Sequence, residues 1–444
     1  MHPAQNKQHT SRRQAWQAIG IFVVGGLVFF HSAFIFTPNN FFIENEPPIS
    51  GFGQYAVQVL VFFFTLWGMP LMFFSAGVAI WFSLNKRTIS EFILERVQRL
   101  LVPFFMGLLF LIPLNQYIIF RHQFPTEAIT FVQFLRTFFT VKFDVLSPGF
   151  LIGSRDFFTM SHLWFLIYLF ASTILLLPIF VFLRKNQGRI FLHKVTVFLA
   201  RPWAIYLMGL PLAVIQAGLG VTENAASLTW NIWGYLLFLT YGFCYASDNC
   251  LEQATINHKR SAFLFGVVGF VLLIGLVLLN NLSNNGGSTS HYSPESILFR
   301  FIIGMTGWIW IVGILGFVST LFRKFLNYQA GESQYASSSL YQKDQLLRKD
   351  LIEYVNKAQL PFYVLHITPV ILISFLVVQW EINALLKYLI IVLSSLAFTF
   401  LLYDIGVRRT RITRFFFGVK QRPKSQEGET MKQFQNEKRE LSGT

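Results

Sequence analysis

The chain has 444 residues, of which 54% are hydrophobic and only 13% charged. A soluble domain carries about 25% charged residues, so a water-exposed globular surface is excluded. The formal net charge of +15 raises nucleic-acid binding, a reading that the placement of the charges argues against.

A helix crosses the hydrocarbon of a bilayer with about 20 apolar residues. Segments of that length, bounded by charges or turn residues, fall near 16–36, 56–83, 101–120, 163–183, 202–219, 230–246, 261–281, 298–321, 360–379 and 384–403. They predict an all-α, polytopic transmembrane bundle of about ten helices, and the 52 Phe suit helices that face lipid. The first segment has too long an apolar stretch for a removable signal peptide, and no A-x-A-like cleavage site follows it.

Thirty of the 36 Lys and Arg lie in the tails and in loops on the same side as the tails. The opposite loops hold only Arg121, Arg136, Lys142 and Arg155, all in one long connection. By the positive-inside rule both termini are cytoplasmic. The chain then divides into a cytoplasmic N-terminal tail (1–15), a transmembrane domain (16–404) and a basic cytoplasmic tail (405–444). Arg408, Arg409, Arg411 and Arg414 directly follow the last helix, where anionic lipid headgroups are the nearest partner. Membrane lipids, not nucleic acid, therefore account for the charge. Cys244 and Cys250 fall at the cytoplasmic end of the sixth helix, where a disulfide is unusual, and without a nearby His they make no metal site.

Two connections in the membrane domain are long. The external loop 121–162 carries Phe131, Phe134, Leu135, Phe138 and Phe139, which fit an interfacial helix or a lid over a cavity. The cytoplasmic insertion, 323–359, is Ser-, Gln- and Lys-rich over 327–349 and reads as flexible. The tail beyond Lys420 is polar and reads as disordered. No internal repeat is visible, so the inverted halves of many transporters have no counterpart here.

Ionisable residues inside apolar segments are costly, and so are candidates for function. His31 lies in a run of Phe, Val and Gly about fifteen residues from the cytoplasmic start of its helix. At ~1.5 Å per residue this is past the midplane. An imidazole there can act as a general base toward a hydroxyl, or it can tie two helices together. Arg96 and Arg99, three apart before the third segment, share a face of an ordinary α-helix. They can clamp phosphates or merely anchor the cytoplasmic end. His162 and Trp164 open the fourth segment at the depth of His31, where a Trp also serves as an interfacial anchor. Pro361, Tyr363 and His366 mark the cytoplasmic start of the ninth segment. Pro361 suits a first helical turn, and His366 falls about one turn in, as a ligand-facing group or a buried tie.

In this order, these segments resemble the acyltransferase 3 family of integral membrane proteins, and within it the branch of glucan biosynthesis protein C. The matching pieces are His31; Phe73-Phe74-Ser75-Ala76-Gly77 with Lys86-Arg87; Phe92 with Arg96, Arg99, Pro103 and Phe104; and His162-Leu163-Trp164. Trp308, Trp310, Gly313 and Gly316 follow, then Pro361-Phe362-Tyr363 with His366, and last Arg408 to Gly418. The resemblance spans about 16–420.

It implies an O-acyltransferase that moves an acyl group, of acetyl or succinyl class, from cytoplasmic acyl-CoA to a hydroxyl of a glycan or polysaccharide. The same resemblance implies acyl-CoA as a substrate with no bound cofactor, and a multi-pass protein of the plasma (inner) membrane. His31 matches the family's first-helix histidine, and Arg96 and Arg99 match its donor-binding pair. The sequence departs at Gln17 and Gly20, where the family carries an Asp and an Arg. Arg300, which opens the eighth segment from the external side, is the candidate replacement cation, unless it snorkels to headgroups. The alternatives are a transporter or flippase of a lipid-linked or sugar substrate, and a family member that has lost its activity. A proton-coupled transporter normally uses intramembrane carboxylates, which are essentially absent from these segments.

Overall fold

The computed structural model describes residues 20, 22–37, 43, 51–139, 158–219, 230–283, 293–332 and 353–419. Among them the regular structure is helical, with no strand. The helices in chain order are α1 (Phe22–Phe34), α2 (Phe52–Leu84), α3 (Ile89–Gln123), α4 (Phe131–Phe138), α5 (Ser161–Arg184) and α6 (Asn186–Leu199). They continue with α7 (Ala204–Leu219), α8 (Ile232–Ser247), α9 (Asn249–Ser283) and α10 (Pro294–Glu332). The chain closes with α11 (Glu353–Leu365), α12 (Ile367–Val377), α13 (Ala384–Val407) and α14 (Arg411–Phe416).

Among the described residues six helices are long and apolar enough to cross a membrane alone, and up to eight spans result if two bent pairs each count as one. The pairs are α6–α7, bent by 117°, and α11–α12, bent by 54°. α1 and α8 are shorter. The protein is an all-helical, multi-pass membrane protein.

Several boundaries differ from expectation. α3 starts at Ile89, not near 101, because Thr88 and Glu91 form a reciprocal capping box ahead of the apolar run. α9 starts at Asn249, so the expected sixth-to-seventh loop is helical. The stretch expected to link the fourth and fifth segments is largely α6. The insertion expected over 323–359 is narrower, because α10 runs on to Glu332 and α11 begins at Glu353. Polar residues hid both extensions, since a search for apolar runs stops where a helix leaves the hydrocarbon. The heart of that insertion, 333–352, lies outside the described residues, as does the tail from 420. Part of the basic C-terminal tail is folded, with Thr410 capping α14. In the loop expected to be external, Thr130 and Gln133 cap α4, which buries Phe134 and Phe138.

Prolines shape the two elements that matter most for the site. Proline lacks an N–H and its ring collides with the carbonyl four residues back, so a helix that contains it must bend or widen. In α3, Pro103 and Pro113 each follow a π-helical turn, Val97–Leu101 and Gly107–Leu111. Each wide turn is closed by an N–H bonded to a carbonyl five residues back, Val102 to Val97 and Ile112 to Gly107. The carbonyls facing the prolines, those of Arg99 and Leu109, lie in the middle of these turns. Pro369 acts likewise on Leu365, where α11 ends and the chain bends into α12.

The bundle core is built on close backbone approach. A Cβ on Gly77 of α2 would lie 2.0 Å from the Leu239 carbonyl oxygen, and one on Gly242 of α8 would lie 1.9 Å from that of Phe74. Small residues let membrane helices pack backbone to backbone in this way. Backbone cannot yield as a flexible side chain can, so Gly77→Val and Gly242→Val are each expected to cost about 1–3 kcal/mol or more. The expected outcome is a lower thermal unfolding midpoint in detergent, whereas Gly25→Val, which would meet nothing within 4 Å, leaves it nearly unchanged.

Candidate active site

Three histidines from three separate elements meet inside the bundle. The ring of His366, at the break between α11 and α12, lies 5.3 Å from that of His31 on α1 and 5.2 Å from that of His162 at the start of α5. His162 is 7% exposed and His366 fully buried.

Backbone carbonyls fix two of the rings. His366 Nδ1 lies 2.7 Å from the Tyr363 carbonyl oxygen, and His162 Nε2 lies 3.0 Å from that of Val364. A carbonyl oxygen only accepts, so both nitrogens carry hydrogen. In the neutral rings the opposite nitrogens, Nε2 of His366 and Nδ1 of His162, are then acceptors, and both are buried without a hydrogen-bond partner among the described residues. Tyr363 completes the frame by donating its hydroxyl to the His162 carbonyl oxygen. The bend at Pro369 is what turns this stretch of backbone toward α5 and α1. Behind α1, the Tyr388 hydroxyl of α13 donates to the Phe29 carbonyl oxygen at 3.2 Å, two residues before His31.

His366 thus stands level with His31 and His162, not near the cytoplasmic end where the sequence placed it. The reason is the start of α11. With Glu353 as its first residue, Pro361 is interior to the helix, and His366 comes 13 residues after the start, about 20 Å along the axis. Trp164, two residues from His162, faces away from the cluster and packs on Phe73 and Tyr235, with ring separations of 6.4 and 5.5 Å.

Arg300 is 2% exposed and donates to the Ala217 carbonyl oxygen at 3.1 Å, so it joins α10 to α7 and not to the histidines. Gln17 lies outside the described residues. Gly20 abuts the side chain of Gln359, whose Nε2 would be 2.1 Å from an added Cβ.

Sequence reasoning missed several buried polar groups. Ser32, Asn115 and Thr368 have side-chain atoms without hydrogen-bond partners among the described residues. Lys387, only 1% exposed, reaches the Val378 carbonyl oxygen at 2.5 Å. Their signal was a lone polar residue within an apolar segment, weaker for hydroxyls and amides than for histidine. Among the described residues no group of three or more His, Cys, Asp or Glu is arranged to hold a metal ion, and Cys244 and Cys250 are free thiols.

The expected arginine pair is divided. Arg99 lines a cavity of about 440 Å³ with Arg87, Glu95, Gln98, Phe415, Gly418 and Val419. Arg96 is buried, its guanidinium carbon 4.8 Å from the centre of the Phe92 ring. The wide turn that begins at Val97 explains the separation, because residues three apart no longer overlie one another as in an ordinary helix. Glu95 instead ties the cavity's two cations, with Oε2 2.5 Å from Arg87 Nη1 and Oε1 3.8 Å from Arg99 Nη1.

α3 connects this cavity to the histidines. Gly107 lies eight residues beyond Arg99, about 12 Å along the helix. A Cβ there would meet Leu163 at 2.5 Å and Val364 at 3.5 Å, the residue after His162 and the residue whose carbonyl binds its ring. One wide turn of α3 therefore stands at the cavity and the other beside the histidine cluster.

A family model described as an acyltransferase domain matches residues 16–404. The chain belongs to the acyltransferase 3 family. As a member it is an acyltransferase that transfers groups other than aminoacyl groups. Comparison with curated proteins and with solved structures gave no match.

The Tyr363 hydroxyl ties α11 directly to the His162 backbone. Removing it in Tyr363→Phe is expected to cost about 1 kcal/mol of stability. Thermal unfolding of the purified protein checks this, with Tyr403→Phe, distant from the cluster, as the reference.

Proposed function

We propose that this acyltransferase moves an acyl group from acyl-CoA to a hydroxyl of a glycan or polysaccharide, using the histidine cluster as its reaction centre. The observation that carries the reading is the convergence of His31, His162 and His366 from three elements, with bare ring nitrogens on His162 and His366. A histidine that only tied two helices together would be satisfied by one neighbour. Three rings in contact inside an apolar bundle form a place where a proton can be taken up and passed on.

In this reading the acceptor hydroxyl attacks the thioester carbon while His31 takes its proton as general base. The new O–acyl bond forms, the C–S bond breaks, and the proton carried by the imidazole is passed to the departing thiolate. His366, in ring contact with His31, sets its orientation and shares the proton. His162, locked by Val364, holds the far wall. Arg99 binds the donor's phosphates by charge-assisted hydrogen bonds, and Arg96 adds charge from the buried side of the same helix. Given the positive-inside orientation, the arginines face the cytoplasm, where acyl-CoA is made, and the acceptor reaches the histidines from the opposite side. The likeness to the glucan biosynthesis branch makes a glucan the first acceptor to try, with acetyl- and succinyl-CoA as donors, in the plasma (inner) membrane.

The test is transfer of a labelled acyl group from acyl-CoA to glucan by purified protein. His31→Ala, expressed and folded as wild type, is expected to lower the rate by about 10²–10⁴-fold. Unchanged transfer by His31→Ala removes it as the base. Labelled glycan crossing vesicles without acylation overturns the transferase chemistry in favour of transport.

A further inference from the structure

Residues 408–419 were read from the sequence as a lipid-facing basic tail, and the reaction centre makes no use of them. In the structure they fold back on α3. Thr410 caps α14 by accepting from the Thr413 N–H at 3.1 Å. Arg414 Nε donates to the Arg408 carbonyl oxygen at 2.6 Å, and the Val419 N–H donates to that of Arg414 at 2.8 Å. Gly418 adopts a left-handed φ of 65°, and a Cβ there would come within 3.2 Å of both the Arg99 Cα and the Pro103 ring. Only glycine fits that conformation and that approach without strain. The segment is thus seated directly on the helix that carries Arg99.

The seat borders the open 440 Å³ cavity. This volume lies within the range of about 300–1,000 Å³ usual for small-molecule sites. Its polar lining is Arg87, Arg99, Gln98 and Glu95 from α3 and the turn before it, and the C-terminal segment contributes the half-exposed Phe415 with Gly418 and Val419. Two guanidinium groups against one carboxylate leave the lining with one net positive charge. Arg87 is held in place by Ser83 Oγ at 2.6 Å as well as by Glu95. An aromatic ring and two arginines lining one cavity is the chemistry that accepts a nucleotide, with the base on the ring and phosphate on the cations.

We infer that residues 411–419 form one wall of the donor site, with Arg87 gripping the 3′-phosphate of coenzyme A and Phe415 stacking on its adenine. This rests on the reading that acyl-CoA is the donor. It adds two residues, Arg87 and Phe415, to that site and gives the C-terminal segment a specificity role. The path along α3 from Arg99 to Gly107 then carries the pantetheine arm toward the histidines.

The test is equilibrium binding of coenzyme A and 3′-dephospho-coenzyme A to the full-length chain in nanodiscs of zwitterionic lipid. Wild type is expected to prefer coenzyme A by roughly tenfold or more. Arg87→Ala should erase that preference while leaving 3′-dephospho-coenzyme A binding as in wild type, which also shows that the variant is folded. Phe415→Ala should weaken both ligands roughly fivefold or more, with the preference kept. If wild type binds neither ligand, the donor reading fails and this inference with it. If wild type binds coenzyme A and both variants match it, the donor reading stands and the assignment of Arg87 and Phe415 is overturned.

Discussion

Inside a membrane every backbone N–H and C=O must find its partner within the protein, and proline removes one such donor wherever it sits in a helix. Three prolines set this constraint beside the histidine cluster and the arginine cavity. Pro103 and Pro113 force the two wide turns of α3, and Pro369 forces the break between α11 and α12. At that break the carbonyls of Tyr363 and Val364 are turned to the rings of His366 and His162, which they hold and orient. The two acceptors that fix these imidazoles lie in the last turn of α11, just before the break. The acyltransferase thus obtains a rigid polar centre from backbone groups, without placing a carboxylate in hydrocarbon.

The two sites differ in character because their surroundings differ. The histidine cluster packs against Phe30, Phe34 and Tyr363, the last backed by Phe165, and two of its rings make polar contacts with backbone. The arginine cavity is open, and its charges are already balanced in part by Glu95. An anionic ligand can therefore enter the second by exchanging one anionic partner for another, whereas the first favours uncharged groups. α3 spans both, so the spacing between them is set by one continuous helix and its two π turns.

Much of this was legible in the sequence. Long apolar runs marked the helices, and single histidines within them marked His31, His162 and His366, because a titratable group in such a run is costly unless it is used. Their meeting was not legible. His366 was placed a turn from one surface because the first seven residues of α11, with Glu353, Asn356 and Lys357 among them, do not look like part of an apolar helix. Arg96 and Arg99 were paired on ordinary helical spacing, which the π turn at Val97 undoes. The contact of Gly418 with Arg99 joins residues more than 300 positions apart. No local periodicity reports such a contact, and so Arg87 and Phe415 looked like a loop charge and a tail residue.

The central claim is that the acyl group is transferred among His31, His162 and His366. The most direct measurement uses a coenzyme A thioester whose acyl tip carries a photoreactive diazirine, cross-linked to the full-length protein in nanodiscs and mapped by mass spectrometry. The account predicts that label falls on peptides containing His31, His162 or residues 360–369, and that excess unmodified acyl-CoA competes it away. Competed label confined to α9 and α10, with none on those three peptides, would contradict it.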